Sequence, residues 1–273
     1  MNGRQRRRGG IRSRKGLALV GTAVLWSSSC ISHDGGVGDR RGGAGWSAPE
    51  QRVIGTSVEG RPIELLAFGD GADCVLILAT IHGDEDAGTP LVRRLAAYLS
   101  SHAELAAGRR VLLLPVANPD GLAAQTRENA NGVDLNRNYP AENFSPGSGT
   151  GSVPLSEPES VAINGLLRRY RPRRIISIHQ PLRRGHACID HDGPAAGLAE
   201  AMSAHGDLPV EKIGSRPGSL GSYAGLTLGI PIITLELPKS AKGLDGESLW
   251  AVYGRMLLAA IRYPEGTAEA VAK

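Results

Sequence analysis

With 273 residues, 41% of them hydrophobic, the chain can build one sizeable core and does not need two. Its formal net charge of +4 comes from seven Arg and Lys in residues 1–29, which hold no acid, so the remainder carries −3. A mildly acidic body without a basic patch argues against nucleic acid as a partner.

The basic start reads "RQRRRGGIRSRK", then "GLALVGTAVLW", then "SSSC". A positive region, a short apolar run and small residues predict a secretory signal over residues 1–30. The apolar run is too short for a membrane span. Cys30 stands where a bacterial lipoprotein signal places its acylated cysteine, although Ser27 replaces the Leu usually found three residues earlier. The expectation is export, either to the periplasm or to the envelope as a lipoprotein held by Cys30, with that lipid as the only membrane contact. Residues 31–48 are Gly-rich and aperiodic and read as a flexible linker; residues 49–265 read as one domain and 266–273 as a tail. Cys74 and Cys188 remain, and two cysteines make no disulfide framework; Cys74 lies in an apolar run and reads as a core thiol.

Two β-type runs around "SVEGRP" predict a hairpin. "CVLILATI" (74–81) is a continuous apolar run of strand length, as strands buried on both faces are. "AGTPLVRRLAAYLSSH" has helical spacing, with Leu91, Leu95 and Leu99 on one face. "RRVLLLPVANPDG" predicts a second buried strand and a turn. "SEPESVAINGLLRRYRP" predicts a helix whose Ser156 and Glu159 have capping-box spacing, with Pro158 in the first turn. "RRIISIHQP" and "GIPIITLELP" predict further strands, and residues 248–262 a closing amphipathic helix. The expected fold class is α/β, a single domain with a mostly parallel or mixed central sheet flanked by helices on both faces.

The strand ends carry the chemistry. His82 and Glu85 follow the run at 74–81, His179 ends 174–178, and Glu236 ends 231–235. Taken singly, such a His is usually a hydrogen-bonded structural residue and such a Glu usually turns to solvent. Glu236, however, has apolar neighbours on both sides, and a carboxylate there needs a cation or hydrogen bonds. In an open parallel sheet, ligands bind beyond the carboxyl ends of the strands, so these four would share one rim. Two His and one Glu suit a catalytic zinc, which takes three protein ligands, leaves a fourth position for water and lowers that water's pKa to about 7. Glu236 would then be a base rather than a ligand. "TRENANGVDLNRNYP" (126–140) adds Arg127, Asn136 and Arg137; a planar guanidinium suits bidentate binding of carboxylate. "NANG" alone is an ordinary turn signal.

The order H-x-x-E, R-x-N-x-x-G-V-D-L-N-R-N, S-I-H and T-L-E-L resembles the zinc carboxypeptidase family over about residues 50–240. That resemblance implies one zinc held by His82, Glu85 and His179, with Glu236 as general base and Arg127 stabilising the oxyanion. It implies that Asn136 and Arg137 hold the free carboxylate of the departing residue. It also implies that Asp134 accepts from His82 and fixes its tautomer. "HGDE", "NPDG", "GVDLNRNYP", "SEPE", "HQP", "GSLGSYAG" and "TLELP" look like its short bacterial branch, the murein peptide amidases. Those enzymes cleave the γ-D-glutamyl–diaminopimelate bond, so the implied partner is a murein-derived peptide.

The chain also departs from the family pattern. Asp84 stands where digestive members carry a second substrate-binding Arg. Tyr223 is the available stand-in for their mobile Tyr at the substrate. "LRRGHACIDHD" after His179 is long and adds Arg183, Arg184, His186 and His191, read either as a solvated loop or as extra anion recognition. Two other functions compete: an N-acyl amino acid deacylase of the desuccinylase type, and a non-catalytic murein-peptide binding protein. The "DLNRNYP" clamp and "TLELP" favour the peptidase over the first. The complete set of ligands and base disfavours the second.

Overall fold

The computed structural model describes residues 49–180 and 187–264. The signal segment with Cys30, the linker to residue 48, the tail, and Arg183, Arg184 and His186 lie outside the described residues. The strands are β1 (Glu50–Thr56), β2 (Pro62–Phe68), β3 (Asp73–Ala79), β4 (Arg109–Leu114), β5 (Arg174–His179), β6 (Cys188–Asp192), β7 (Val210–Glu211) and β8 (Ile232–Glu236). The α-helices are α1 (Gly88–Ser101), α2 (Pro119–Ala124), α3 (Pro158–Tyr170), α4 (Ala196–Ser203) and α5 (Gly246–Arg262).

The strands form one mixed eight-stranded sheet in the order β1-β2-β4-β3-β5-β8-β6-β7. The central four, β4, β3, β5 and β8, are parallel. The hairpin β1–β2 adds antiparallel to β4, and β6 adds antiparallel to β8. Alternation along β3 explains its unbroken apolar run. Val75, Ile77 and Ala79 pack toward α1, α4 and α5, whereas Cys74, Leu76 and Leu78 pack toward α3 and the segment carrying Leu135 and Tyr139. Leu91, Leu95 and Leu99 of α1 are fully buried, as their spacing predicts. At the far end of the sheet, buried Arg174 forks onto Asp73 at 2.6 and 2.9 Å and donates to the carbonyl of Ala260, tying β3, β5 and α5 together.

Three expectations change. The N-cap of α3 is Glu157, with Pro158 as its first residue, so Ser156 and Glu159 make no capping box. Ser156 bonds Asn138 and Glu157, and Glu159 instead accepts from the Val58 amide and from Asn129. α5 starts at Gly246, because the Asp245 side chain accepts from the Ser248 amide and caps it earlier. Residues 188–192, read with the stretch after His179, form β6 and extend the sheet. Cys74 and Cys188 are buried free thiols, their pKa pushed up by burial to about 11 and about 12.

Candidate active site

β3 delivers its turn to the rim through a strained residue. Thr80, fully buried, has φ of 55°, a left-handed conformation that costs a β-branched residue about 1–3 kcal/mol. Its surroundings hold it there: Oγ1 lies 2.7 Å from Thr89 Oγ1, and its carbonyl accepts from the Asn118 amide. The chain then turns tightly, with the Glu85 amide donating to the His82 carbonyl. Gly83 is needed there for close approach, because a Cβ would lie 1.9 Å from the Gly121 carbonyl carbon. His179 and Glu236 are the last residues of β5 and β8 and pair with each other in the parallel register.

These elements gather His82, Glu85 and His179, with one donor atom from each lying within 4.8 Å of the others. All three are buried. The rings of His82 and His179 sit 4.9 Å apart, tilted by 59°. Glu85 lies between them: Oε1 is 3.0 Å from His82 Nδ1 and Oε2 is 2.9 Å from His179 Nδ1. The outer nitrogens are held from behind. His82 Nε2 lies 3.0 Å from Asp134 Oδ1, and His179 Nε2 lies 3.0 Å from Ser177 Oγ. The Asp134 carboxylate can only accept, so the proton sits on His82 Nε2 and the lone pair on Nδ1.

Charge follows geometry. Burial opposes ionisation of Glu85, but the His82 and His179 rings outweigh it and hold its carboxyl far below the usual range. Asp134 is also held low, with burial outweighed first by His82 and then by Arg127 and Arg137. Glu236 moves the other way, since burial pushes its carboxyl up. Arg127 ties the cluster together, donating from Nε to Asp134 and from Nη1 to Glu85, each at 3.0 Å.

The donor set fits a metal ion. His82 Nδ1 is buried without a hydrogen-bond partner, an unusual state for a ring nitrogen facing a carboxylate. Two imidazoles and a carboxylate at one point are the ligand types of catalytic zinc. The cluster opens into a cavity of about 500 Å³, which Arg127, Asn136, Arg137 and Glu236 also line. Asn136 is aimed by its side-chain oxygen, which accepts from the Leu220 amide.

Comparison with known proteins agrees with this architecture. Zinc carboxypeptidase (peptidase M14) matches residues 49–181. The chain is 35% identical over 209 residues to murein peptide amidase A of Escherichia coli K12, covering 70% of this chain and 82% of that protein. The chain belongs to the zinc carboxypeptidase family. Its Vibrio campbellii relative, also a murein peptide amidase A, is 33% identical over 190 residues, covering 63% of this chain and 72% of that protein. Among solved structures, murein-tripeptide amidase MpaA from E. coli O157 aligns with a TM-score of 0.62 and 29% identity, over 79% of this chain and 92% of that one. Bovine thrombin-activatable fibrinolysis inhibitor aligns with a TM-score of 0.65 at 21% identity, over 79% and 88%, and shares the fold. The chain is thus a hydrolase of the zinc carboxypeptidase type.

Two sequence readings do not survive. Tyr223 is buried away from the cavity; its hydroxyl donates to Asn164 Oδ1 at 3.1 Å and its ring stacks on Tyr139. It fills the core and is not available to substrate. His191 alternates with Asp190 and Asp192 on β6, and those two line the cavity whereas His191 does not. Part of the polar crowding at 126–140 is also scaffold: Asn129 accepts from the Asn131 and Val133 amides, and fully buried Asn138 bonds Thr150, Val153 and Ser156. Sequence reasoning missed Asp190, Asp192, Thr234 and Gln180 as cavity-lining residues. The alternation in "CIDHD" was the available signal for the first two.

Proposed function

We propose that this chain is a zinc-dependent amidase that releases the C-terminal residue of murein peptides by cutting a γ-D-glutamyl amide. The observation that carries the reading is the opening of His82, Glu85, His179 and Glu236 onto one cavity that also presents Asn136 and Arg137. His82 Nδ1, a Glu85 oxygen and His179 Nδ1 would hold the metal. Zinc supplies Lewis acidity, polarising an amide carbonyl and making water nucleophilic near neutral pH. Glu236 takes a proton from the attacking water and returns it to the departing nitrogen, so that the C–N bond breaks after the C–O bond forms. Its raised affinity for protons suits both halves of that task. Arg127 answers the charge that develops on the carbonyl oxygen. Arg137 and the Asn136 amide hold the free carboxylate of the leaving residue.

The test is incubation of the zinc-loaded chain with L-Ala-γ-D-Glu-diaminopimelate. Free diaminopimelate in the mass spectrum is expected, and an intact peptide after prolonged incubation would refute the reading. Export is a separate proposal, supported by the basic and apolar order of residues 1–30. If Cys30 carries a lipid, the protein partitions with membranes and Cys30→Ser releases it; identical fractionation would leave ordinary export alone.

A further inference from the structure

The wall of the cavity opposite in charge to its arginines is built from β6. Asp190 and Asp192 are two residues apart on that strand, so both project from one face of the sheet. They line the cavity beside Thr234 and Glu236 and are only 5% and 3% exposed. Asp190 Oδ1 is fixed by the amides of His191, Ile213 and Gly214 at 2.9, 2.9 and 3.4 Å. No bond to its Oδ2 is made among the described residues. Asp192 is packed tightly: a Cβ on Gly221 would lie 2.7 Å from its Oδ2. Its nearest cation among the described residues is Lys212, whose ammonium is 3.6 Å from Oδ1, half-exposed, and already donating to the His191 carbonyl.

Two carboxylates buried on one wall need a cation to offset their desolvation. Burial pushes Asp190 toward the protonated form, the response of a carboxyl that lacks one. The same cavity is independently a ligand site, because the buried and unpartnered His82 Nδ1 lines it. Arg137 and Arg216 line it too, so it combines anion-binding and cation-binding groups. A small zwitterion with one further ammonium matches that division.

We propose that Asp190 and Asp192 bind the side-chain ammonium of the leaving residue and select residues that carry a second amino group. The proposal rests on the hydrolytic reading of the cavity, and it assigns the group that distinguishes diaminopimelate or lysine from their deaminated analogues.

The experiment is calorimetric titration of the zinc-loaded full chain with two ligand pairs, each differing by one ammonium. One pair is meso-diaminopimelate and L-2-aminopimelate; the other is L-lysine and L-norleucine. The aminated member of each pair should bind about 30-fold or more tightly, the loss typical when a buried charged partner is removed. Asp190→Asn with Asp192→Asn keeps acceptor oxygens for the backbone amides and removes the charge, so it should abolish the difference while leaving thermal unfolding intact. The single exchanges serve the same purpose if the pair does not fold. Equal affinity within either pair, no binding of the aminated ligands, or unchanged discrimination in a folded Asn variant would overturn the proposal. Binding is read without turnover. Failure of the hydrolytic reading would instead appear as intact peptide substrate, with this discrimination preserved.

Discussion

Asp134 receives the Nε2–H of His82 on one oxygen and the Nε–H of Arg127 on the other. It therefore sets the tautomer of one proposed ligand and the orientation of the guanidinium proposed to meet the oxyanion. Asp134→Ala should weaken zinc binding by about 10- to 100-fold, measured by chelator competition; unchanged zinc affinity would reduce Asp134 to a bystander. Arg137 has a different task and a different signature. Removing a partner from a buried charged pair costs about 2–5 kcal/mol, or roughly 30- to 4000-fold in kcat/KM. Arg137→Ala should lose that much on peptides ending in a free carboxylate, and far less on the same peptides capped as amides. A parent that cleaves free and amidated peptides equally well would remove Arg137 from the carboxylate. His82, Glu85, His179 and Glu236 were legible in the sequence because each breaks or ends an apolar strand, where a polar group demands a reason. Tyr223 was misread because its only claim was distance along the chain from Glu236. Nothing in a single Tyr reports that its hydroxyl will be satisfied by Asn164 inside the core.

Single elements place these side chains through close backbone contact. The turn carrying His82 and Glu85 packs against the start of α2, and Gly83 makes that contact possible. The sequence suggested that Gly83 gives the backbone freedom to bend; the observed constraint is steric. Gly83→Ala must push the turn off Gly121. It should cost about 1–3 kcal/mol, as overpacking does, lower the midpoint of thermal unfolding and weaken zinc binding together. A variant with normal stability and normal zinc affinity would show that the turn has slack. Parallel pairing of β3, β5 and β8 was readable from continuous apolar runs separated by helix patterns. β6 was not, because its cavity face carries two aspartates and one strand of five residues with three polar side chains looks like a loop. The cap of α3 was misread for a related reason: Glu159 is drawn to Val58 and Asn129, a long-range attraction that local spacing does not encode.

The whole molecule was legible as an α/β domain because alternating strand and helix patterns fix the central parallel sheet. The order of the outer strands was not, since β1, β2, β6 and β7 join by pairings between distant segments. The sheet brings three separate strand ends to one rim, and the account depends on what meets there. Its most direct test is the zinc content of the purified full chain and two variants, measured by elemental analysis. The account predicts about one zinc per chain in the parent, about one in Glu236→Gln with turnover lost, and almost none in His179→Ala. Loss of zinc from Glu236→Gln, or its full retention by His179→Ala, would contradict the assignment of ligands and base.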